Sequence, residues 1–399
     1  MKDIKKPNFM AEIKSGGHSP VLEILIALAV YFVGSMIGSF VQLPALMAYM
    51  FGNREYQEML FSGRVDMDKI IELVANVPQW INIVILVGEL GLILTVFLYC
   101  RLLEKRKLST LGFQRRGCVI SYVKGMFLGL FLFGAAYLLC YMSGSIAVGG
   151  VSFSVGTVLY VVGFFFGYLI QGMAEEVLCR GYLLVSLCRR CSVTLSVVLS
   201  SLFFSMLHGM NQGVTLLAHI NLFLFGIFLA LLFLRSGNIW IVGAVHSIWN
   251  FVQGNIFGVQ VSGMRVQPSI IRSSMKEGWD IINGGAFGLE GGLAVTLVLL
   301  LAVTAVIQSM KKHGMFVEVH SKNENTVSGE LPFRSVMNEN RNVSSDEGDA
   351  GGNVARPEEP YQNMGLNPEE TPWYPEEKHE EKKEKDTNVT GFDQSYFRE

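Results

Sequence analysis

An all-α integral membrane protein of about eight transmembrane helices, with its reactive groups inside the helix bundle and a polar tail behind it, is the fold class this sequence predicts. Three observations lead there. Half of the 399 residues are hydrophobic and only 17% are charged. The apolar residues fall in runs of about twenty, the length that crosses roughly 30 Å of hydrocarbon at 1.5 Å per residue. Within one such run stand Glu175, Glu176 and Arg180, and ionisable groups at membrane depth persist mainly where they face a polar cavity.

The spans read as 21–43, 80–100, 119–141, 155–189 (long and interrupted), 192–209, 214–234, 238–258 and 288–309. The first run is long enough to span and lacks a small-residue cleavage pattern, so it is not read as a cleavable leader. Basic residues then orient the spans. Lys2, Lys5, Lys6 and Lys14 precede the first, and Arg101, Lys105, Arg106, Lys107, Arg115 and Arg116 follow the second. Arg189 and Arg190 follow the fourth, Arg235 the sixth, and Lys311 and Lys312 the eighth. All fall on one side if both termini are cytoplasmic, whereas the opposite loops are uncharged (143–150, 209–213) or mixed (51–77, 259–287). The chain thus divides into a cytoplasmic segment 1–20, first helices 21–118, a helical core 119–258, a loop and last helix 259–310, and a tail 311–399.

That tail is rich in Glu, Asn, Lys, Pro and Ser and poor in aliphatics. It cannot bury enough apolar surface to offset its ordering entropy, so it is expected to be disordered, acidic and cytoplasmic. Trp373 and Tyr374 within it fit a solvated tail better than a partner-binding patch. Nucleic acid is excluded as a partner by the lack of a basic domain or basic-aromatic interleaving. The six cysteines lie in or beside apolar segments and do not form a secreted disulfide framework. Cys188 and Cys191 make a lone CxxC, with no second pair to complete a zinc site.

The polar groups inside the spans converge. Glu176 and Arg180 are spaced i, i+4 and share a helix face, so they can pair. Glu175 is rotated by about 100° and points elsewhere. The ion pair makes buried charge tolerable, while Glu175 faces a cavity. If spans four and five turn near Arg190 and Cys191, Glu175 and His208 lie roughly 22 and 26 Å from the turn. His246 and Asn250, roughly 15 and 21 Å into span seven, reach a similar depth. Such a set supports peptide hydrolysis: a carboxylate in a low-dielectric cavity takes a proton from water. Imidazoles hold that water or bind a metal, and an amide donates to the developing oxyanion. The H-E-x-x-H zinc helix is absent.

Glu175-Glu176-x-x-x-Arg180, Phe204-x-x-x-His208 and His246-x-x-x-Asn250, in that order, resemble the motifs of the CPBP family of intramembrane proteases. This is the CAAX-protease, Abi and bacteriocin-processing group, which includes Rce1-type prenyl-protein proteases. The resemblance covers about 120–258. It implies that Glu175 and His208 activate the attacking water, and that His246 and Asn250 bind a metal or stabilise the oxyanion. A divalent metal such as zinc would fall to Glu175, His208 and His246; the family is named as metal-dependent, though a metal-free glutamate mechanism has been argued for it. The implied partner is a membrane-associated peptide or protein, either a prenylated CAAX-type chain or a leader peptide, within the lipid bilayer.

Other polar groups fit plainer roles. Phe204 shapes the cavity, His219 and Asn221 serve as interhelical hydrogen bonds, Glu89 makes a structural hydrogen bond, and Glu23 sits at the interface. Two other functions compete. A non-catalytic immunity or scaffold protein of the same fold would be favoured by loss of Glu175, His208 or His246, and all three are present. A proton-coupled transporter would show repeated halves with broken helices, and no such symmetry is evident.

Overall fold

The computed structural model describes residues 2–318, except 14, 15, 64, 65 and 76. Eight helices match the eight expected spans in order: α1 (Pro20–Gly52), α2 (Gln79–Leu103), α3 (Cys118–Met142) and α4 (Val155–Leu187), then α5 (Val193–Leu207), α6 (Leu216–Ser236), α7 (Ile239–Phe251) and α8 (Leu293–Lys312). Six of them, all but α5 and α7, are long and apolar enough to cross a membrane. Side-chain caps explain where several begin. Ser19, Ser154, Ser192, Thr215 and Asn238 each accept from a first-turn N–H that the helix cannot satisfy itself.

Two ends of the bundle differ in chemistry. At the basic end, β1 (Lys2–Ile4) pairs antiparallel with β4 (Phe316–Glu318), Ile4 facing Phe316. Asp3 then accepts from the backbone N–H groups of Val193 and Thr194, completing the cap of α5 beside Ser192. At the opposite end, β2 (Ile146–Val151) pairs antiparallel with β3 (Ile271–Met275). Around it, Asn283 donates to the Ser145 carbonyl at 2.9 Å and Asn211 to that of Ser262 at 3.0 Å.

Several expectations need correction. The boundary of the tail is later than 311, because α8 continues through Lys312 and the chain returns to pair as β4. Residues 319–399, with Trp373 and Tyr374, lie outside the described residues. The last helix starts at Leu293 rather than 288, since Leu289–Gly291 forms a separate tight turn that carries Glu290 inward. Glu23 is fully buried rather than interfacial. The reason is a set of partners the linear sequence hides: Tyr182 Oη at 3.0 Å and Arg189 Nη2 at 2.8 Å, with Arg189 also reaching Glu104.

Small residues let the helices meet closely. A Cβ on Gly38 of α1 would stand 2.5 Å from the Gly88 carbonyl of α2, and one on Gly172 of α4 would stand 2.5 Å from the Ser247 nitrogen of α7. Backbone contact of this kind replaces a hydrophobic driving force that lipid cannot supply. The second contact matters more, because it sits one turn from the paired glutamates.

Candidate active site

Residues from α4, the end of α5, and α7 make the site. α4 holds Gln171, Glu175, Glu176 and Arg180, and its last turns, Val177–Leu184, widen to π-helical geometry. Wide turns of this type recur at functional sites, and this one is the interruption visible in the sequence. The i, i+4 pair forms across its start: Arg180 Nη1 donates to Glu176 Oε1 at 2.7 Å, both side chains fully buried. Arg180 Nη2 also donates to the Gly226 carbonyl at 3.1 Å, and the guanidinium lies 4.7 Å over the Phe204 ring. Desolvation is thus offset by a carboxylate, a carbonyl and a π face.

Glu176 has a second task. Its Oε1 accepts from His246 Nδ1 at 2.9 Å, which fixes the ring and leaves Nε2 pointing onward. His208 is held in the same manner by the Phe204 carbonyl, 3.0 Å from its Nδ1. The two free Nε2 atoms face one oxygen: Glu175 Oε2 lies 3.9 Å from His208 Nε2 and 3.8 Å from His246 Nε2. That oxygen is buried and, among the described residues, has no hydrogen-bond partner. The other carboxylate oxygen of Glu175 accepts from the Gln171 amide, whose own oxygen accepts from Asn250 Nδ2 at 2.9 Å. Asn250 therefore reaches Glu175 through Gln171 and keeps one N–H in reserve.

The cavity beside this cluster has a volume of about 170 Å³, and Glu175, His208, Asn250, Gln171 and Tyr168 line it. Glu89 lines it too and makes no side-chain hydrogen bond among the described residues. The expected structural hydrogen bond is therefore replaced by an open carboxylate across the cavity from Glu175. The reason is local: Glu89 stands where the first half of α2 ends and the second begins. His219 and Asn221 do act between elements. Ser205 bonds the former, while Asn221 Nδ2 donates to the carbonyls of Glu290 and Gly292 at 2.8 and 2.9 Å.

A metal would have to be held by Glu175, His208 and His246. Their donor chemistry suits a divalent ion, and each histidine has its Nδ1 occupied in the way metal-bound histidines do. Spacing is less suited. A tetrahedral zinc site needs ligand atoms roughly 3.4 Å apart, from bond lengths of about 2.1 Å. Among the described residues, the one trio of such groups with ligand atoms within 4.8 Å of one another is His18, Glu23 and Glu104 at the basic end. There the Arg189 guanidinium already bridges the two carboxylates. Glu175, His208 and His246 instead surround a gap of water size.

Residues 157–252 match a family model described as type II CAAX prenyl endopeptidase Rce1-like. That part of the chain is similar to this family. The match runs from the first turn of α4 to the end of α7, about a quarter of the chain, and contains Gln171, Glu175, Glu176, Arg180, His208, His246 and Asn250 but not Glu89. It begins after α3, later than the 120 expected from the motifs. A search of curated proteins finds no significant match.

Sequence reasoning missed two contributors. Gln171 reads as one amide in an apolar run. Glu290 sits at the edge of a span, yet it is buried and accepts four hydrogen bonds: Trp249 Nε1 at 3.1 Å, Gln253 Nε2 at 3.2 Å, and the nitrogen and hydroxyl of Ser262 both at 2.8 Å. It ties α7 to the loop that roofs the cavity. A lone acid flanked by glycines before an apolar run was the available signal.

Proposed function

We propose that this membrane protein is an intramembrane endopeptidase in which Glu175 activates water against a peptide bond of a membrane-embedded substrate. One observation carries the reading: a buried carboxylate oxygen, without a hydrogen-bond partner among the described residues, faces two histidine nitrogens whose other ring nitrogens are already committed. A water placed among them donates one proton to Glu175 and the other toward His208 Nε2. Its oxygen attacks the scissile carbonyl, and Glu175 takes the proton. The tetrahedral oxyanion is received by the spare N–H of Asn250, beside the His246 ring that Glu176 holds in place. The proton on Glu175 then passes to the leaving nitrogen as the carbon–nitrogen bond breaks, which restores the carboxylate.

A metal-dependent version assigns the ion to Glu175, His208 and His246, where it would lower the pKa of bound water. The wide spacing favours the water-only version. We further propose that both termini are cytoplasmic, from the basic residues gathered at one end of the bundle. Prenylated CAAX-type chains and leader peptides are the two substrate classes to compare.

The test is cleavage of prenylated and unprenylated membrane peptides by the full chain in proteoliposomes. Glu175→Gln should fall to the background rate, a loss of about 10²-fold or more, with membrane insertion unchanged. Background-level cleavage by the unmodified protein across the whole set sinks the protease reading. Elemental analysis of the purified protein decides the metal: a stoichiometric ion lost in His208→Ala overturns the water-only version.

A further inference from the structure

Two cavities outside the catalytic one share a single cation. The larger, about 620 Å³, meets the catalytic cavity at Ile85, Leu86, Tyr168 and Met264 and leads outward past Gln79, Gln212, Arg265 and Gln267. The smaller, about 330 Å³, has Arg265 and Arg272 in its wall, with Gln260 and Gln267 between them. Gln212, Met264, Arg265 and Gln267 are exposed, so this is the open end. Toward the basic end, every residue of Val177–Leu184 is buried. Access to Glu175 therefore runs from the end of the bundle opposite the basic termini.

Charge is sorted along that path. Glu89 and Glu175 line the inner cavity, while among the described residues neither outer cavity has a carboxylate in its lining. Arg265 makes no ion pair among the described residues. Its neighbour is neutral: with the Gln267 amide turned to satisfy both groups, the carbonyl accepts from Arg265 Nε and Nη2 at 3.0 Å each. That contact orients the guanidinium and leaves its charge uncompensated. A concave wall of one sign concentrates ligands of the other, and a guanidinium fork matches a carboxylate.

We propose that Arg265, backed by Arg272, receives a carboxylate of the peptide at this mouth while the scissile bond enters the glutamate–histidine cavity. The two inner carboxylates repel an anion and the two outer arginines attract it, so the peptide enters in one polarity. This rests on the endopeptidase reading and adds a specificity-determining residue: Arg265, placed at the end away from the basic termini to receive a carboxylate near the cut. The carboxylate is either the peptide's C-terminus or an acidic side chain.

The experiment uses the full chain carrying Glu175→Gln in nanodiscs, so that binding is read without turnover. Fluorescent peptides of one sequence carry a free C-terminal acid, a C-terminal amide, or the amide with one Asp or Asn beside the cut. The expected result is at least tenfold tighter binding of one carboxylate form than of its neutral twin. Arg265→Gln should bring that ratio near one, Arg265→Lys should retain part of it, and 0.5 M salt should reduce it. Which twin pair shows the ratio identifies the source of the carboxylate. Equal binding of acid and neutral peptides, or a ratio unchanged by Arg265→Gln, overturns the proposal. Cleavage by the unmodified chain without any carboxylate preference would leave the protease standing and remove the vestibule. A carboxylate preference abolished by Arg265→Gln, with no cleavage by the unmodified chain, would do the reverse.

Discussion

Removing one partner of the buried Glu176–Arg180 pair should cost far more than removing both. Arg180→Met keeps much of the aliphatic volume but leaves Glu176 wholly desolvated, with His246 as its remaining partner. It also strips the Gly226 carbonyl of its donor and the Phe204 ring of its cation. Breaking a buried pair by removing one charge costs about 3–5 kcal/mol, and an orphaned buried carbonyl about 1–3 kcal/mol. These are not additive, so the expected loss is about 4 kcal/mol. Glu176→Gln, which leaves a buried guanidinium, should lose a similar amount, about 3–5 kcal/mol. The double variant carries no uncompensated charge, so it should lose less than either single variant and fall below their sum by about 4 kcal/mol or more. Equilibrium unfolding in mixed detergent measures all four corners of the cycle, with cleavage read in parallel. Strictly additive losses would refute the pairing. Full stability with lost activity in Arg180→Met would show instead that the arginine works on the substrate.

Three further outcomes are expected. Gly172→Ala places a methyl 2.5 Å from the Ser247 nitrogen, which forces α4 and α7 apart; it should cost about 1–3 kcal/mol and lower cleavage, by thermal unfolding and peptide assay. Glu290→Gln turns an amide NH2 toward donors such as the Ser262 nitrogen and Gln253 Nε2, so stability should fall by about 1–3 kcal/mol and the cavity roof should loosen, seen as faster hydrogen exchange over 259–264. Burial pushes the Asp3 carboxyl up, but hydrogen bonds from Thr194 and Val193 outweigh it and hold the pKa below its ordinary 3.8. Its stabilising effect is therefore complete above the ordinary value and lost as pH falls through the lower folded one. Asp3→Asn should cost about 1 kcal/mol at neutral pH and flatten that acid limb in a pH series of unfolding midpoints.

Much of this arrangement was legible in the sequence, and the physics says which part. Helix existence follows from runs of apolar residues, so eight helices appear in the expected order, with the start of the last moved to Leu293. The division of labour between Glu175 and Glu176 follows from helical phase, which is local. The depth match of His208 and His246 follows from rise per residue. What escaped depends on contacts between distant segments. Glu23 reads as interfacial because Tyr182 and Arg189 are more than 150 residues away. Glu290 and Gln171 look incidental until Trp249, Ser262 and Asn250 are brought against them. Arg265 has no periodic context, so only the cavity it lines gives it meaning.

Adjacent glutamates answer a geometric need that other spacings do not meet. His246 has a carboxylate on each side of its ring: Glu176 at Nδ1, 2.9 Å away, and Glu175 facing Nε2 at 3.8 Å. Carboxylates at i and i+4 would project from one face and crowd the same ring edge. Residues at i and i+1 diverge by about 100°, so one holds the near nitrogen while the other passes the ring and reaches the cavity. The second glutamate then needs its own cation, since an imidazole alone does not neutralise a fully buried carboxylate, and Arg180 at i+4 supplies it from the same face. On this argument the order of the pair matters as much as its presence. In the proposed mechanism, exchanging Glu175 for Gln removes the base and keeps the clamp, whereas exchanging Glu176 for Gln keeps the base and releases the histidine it works with.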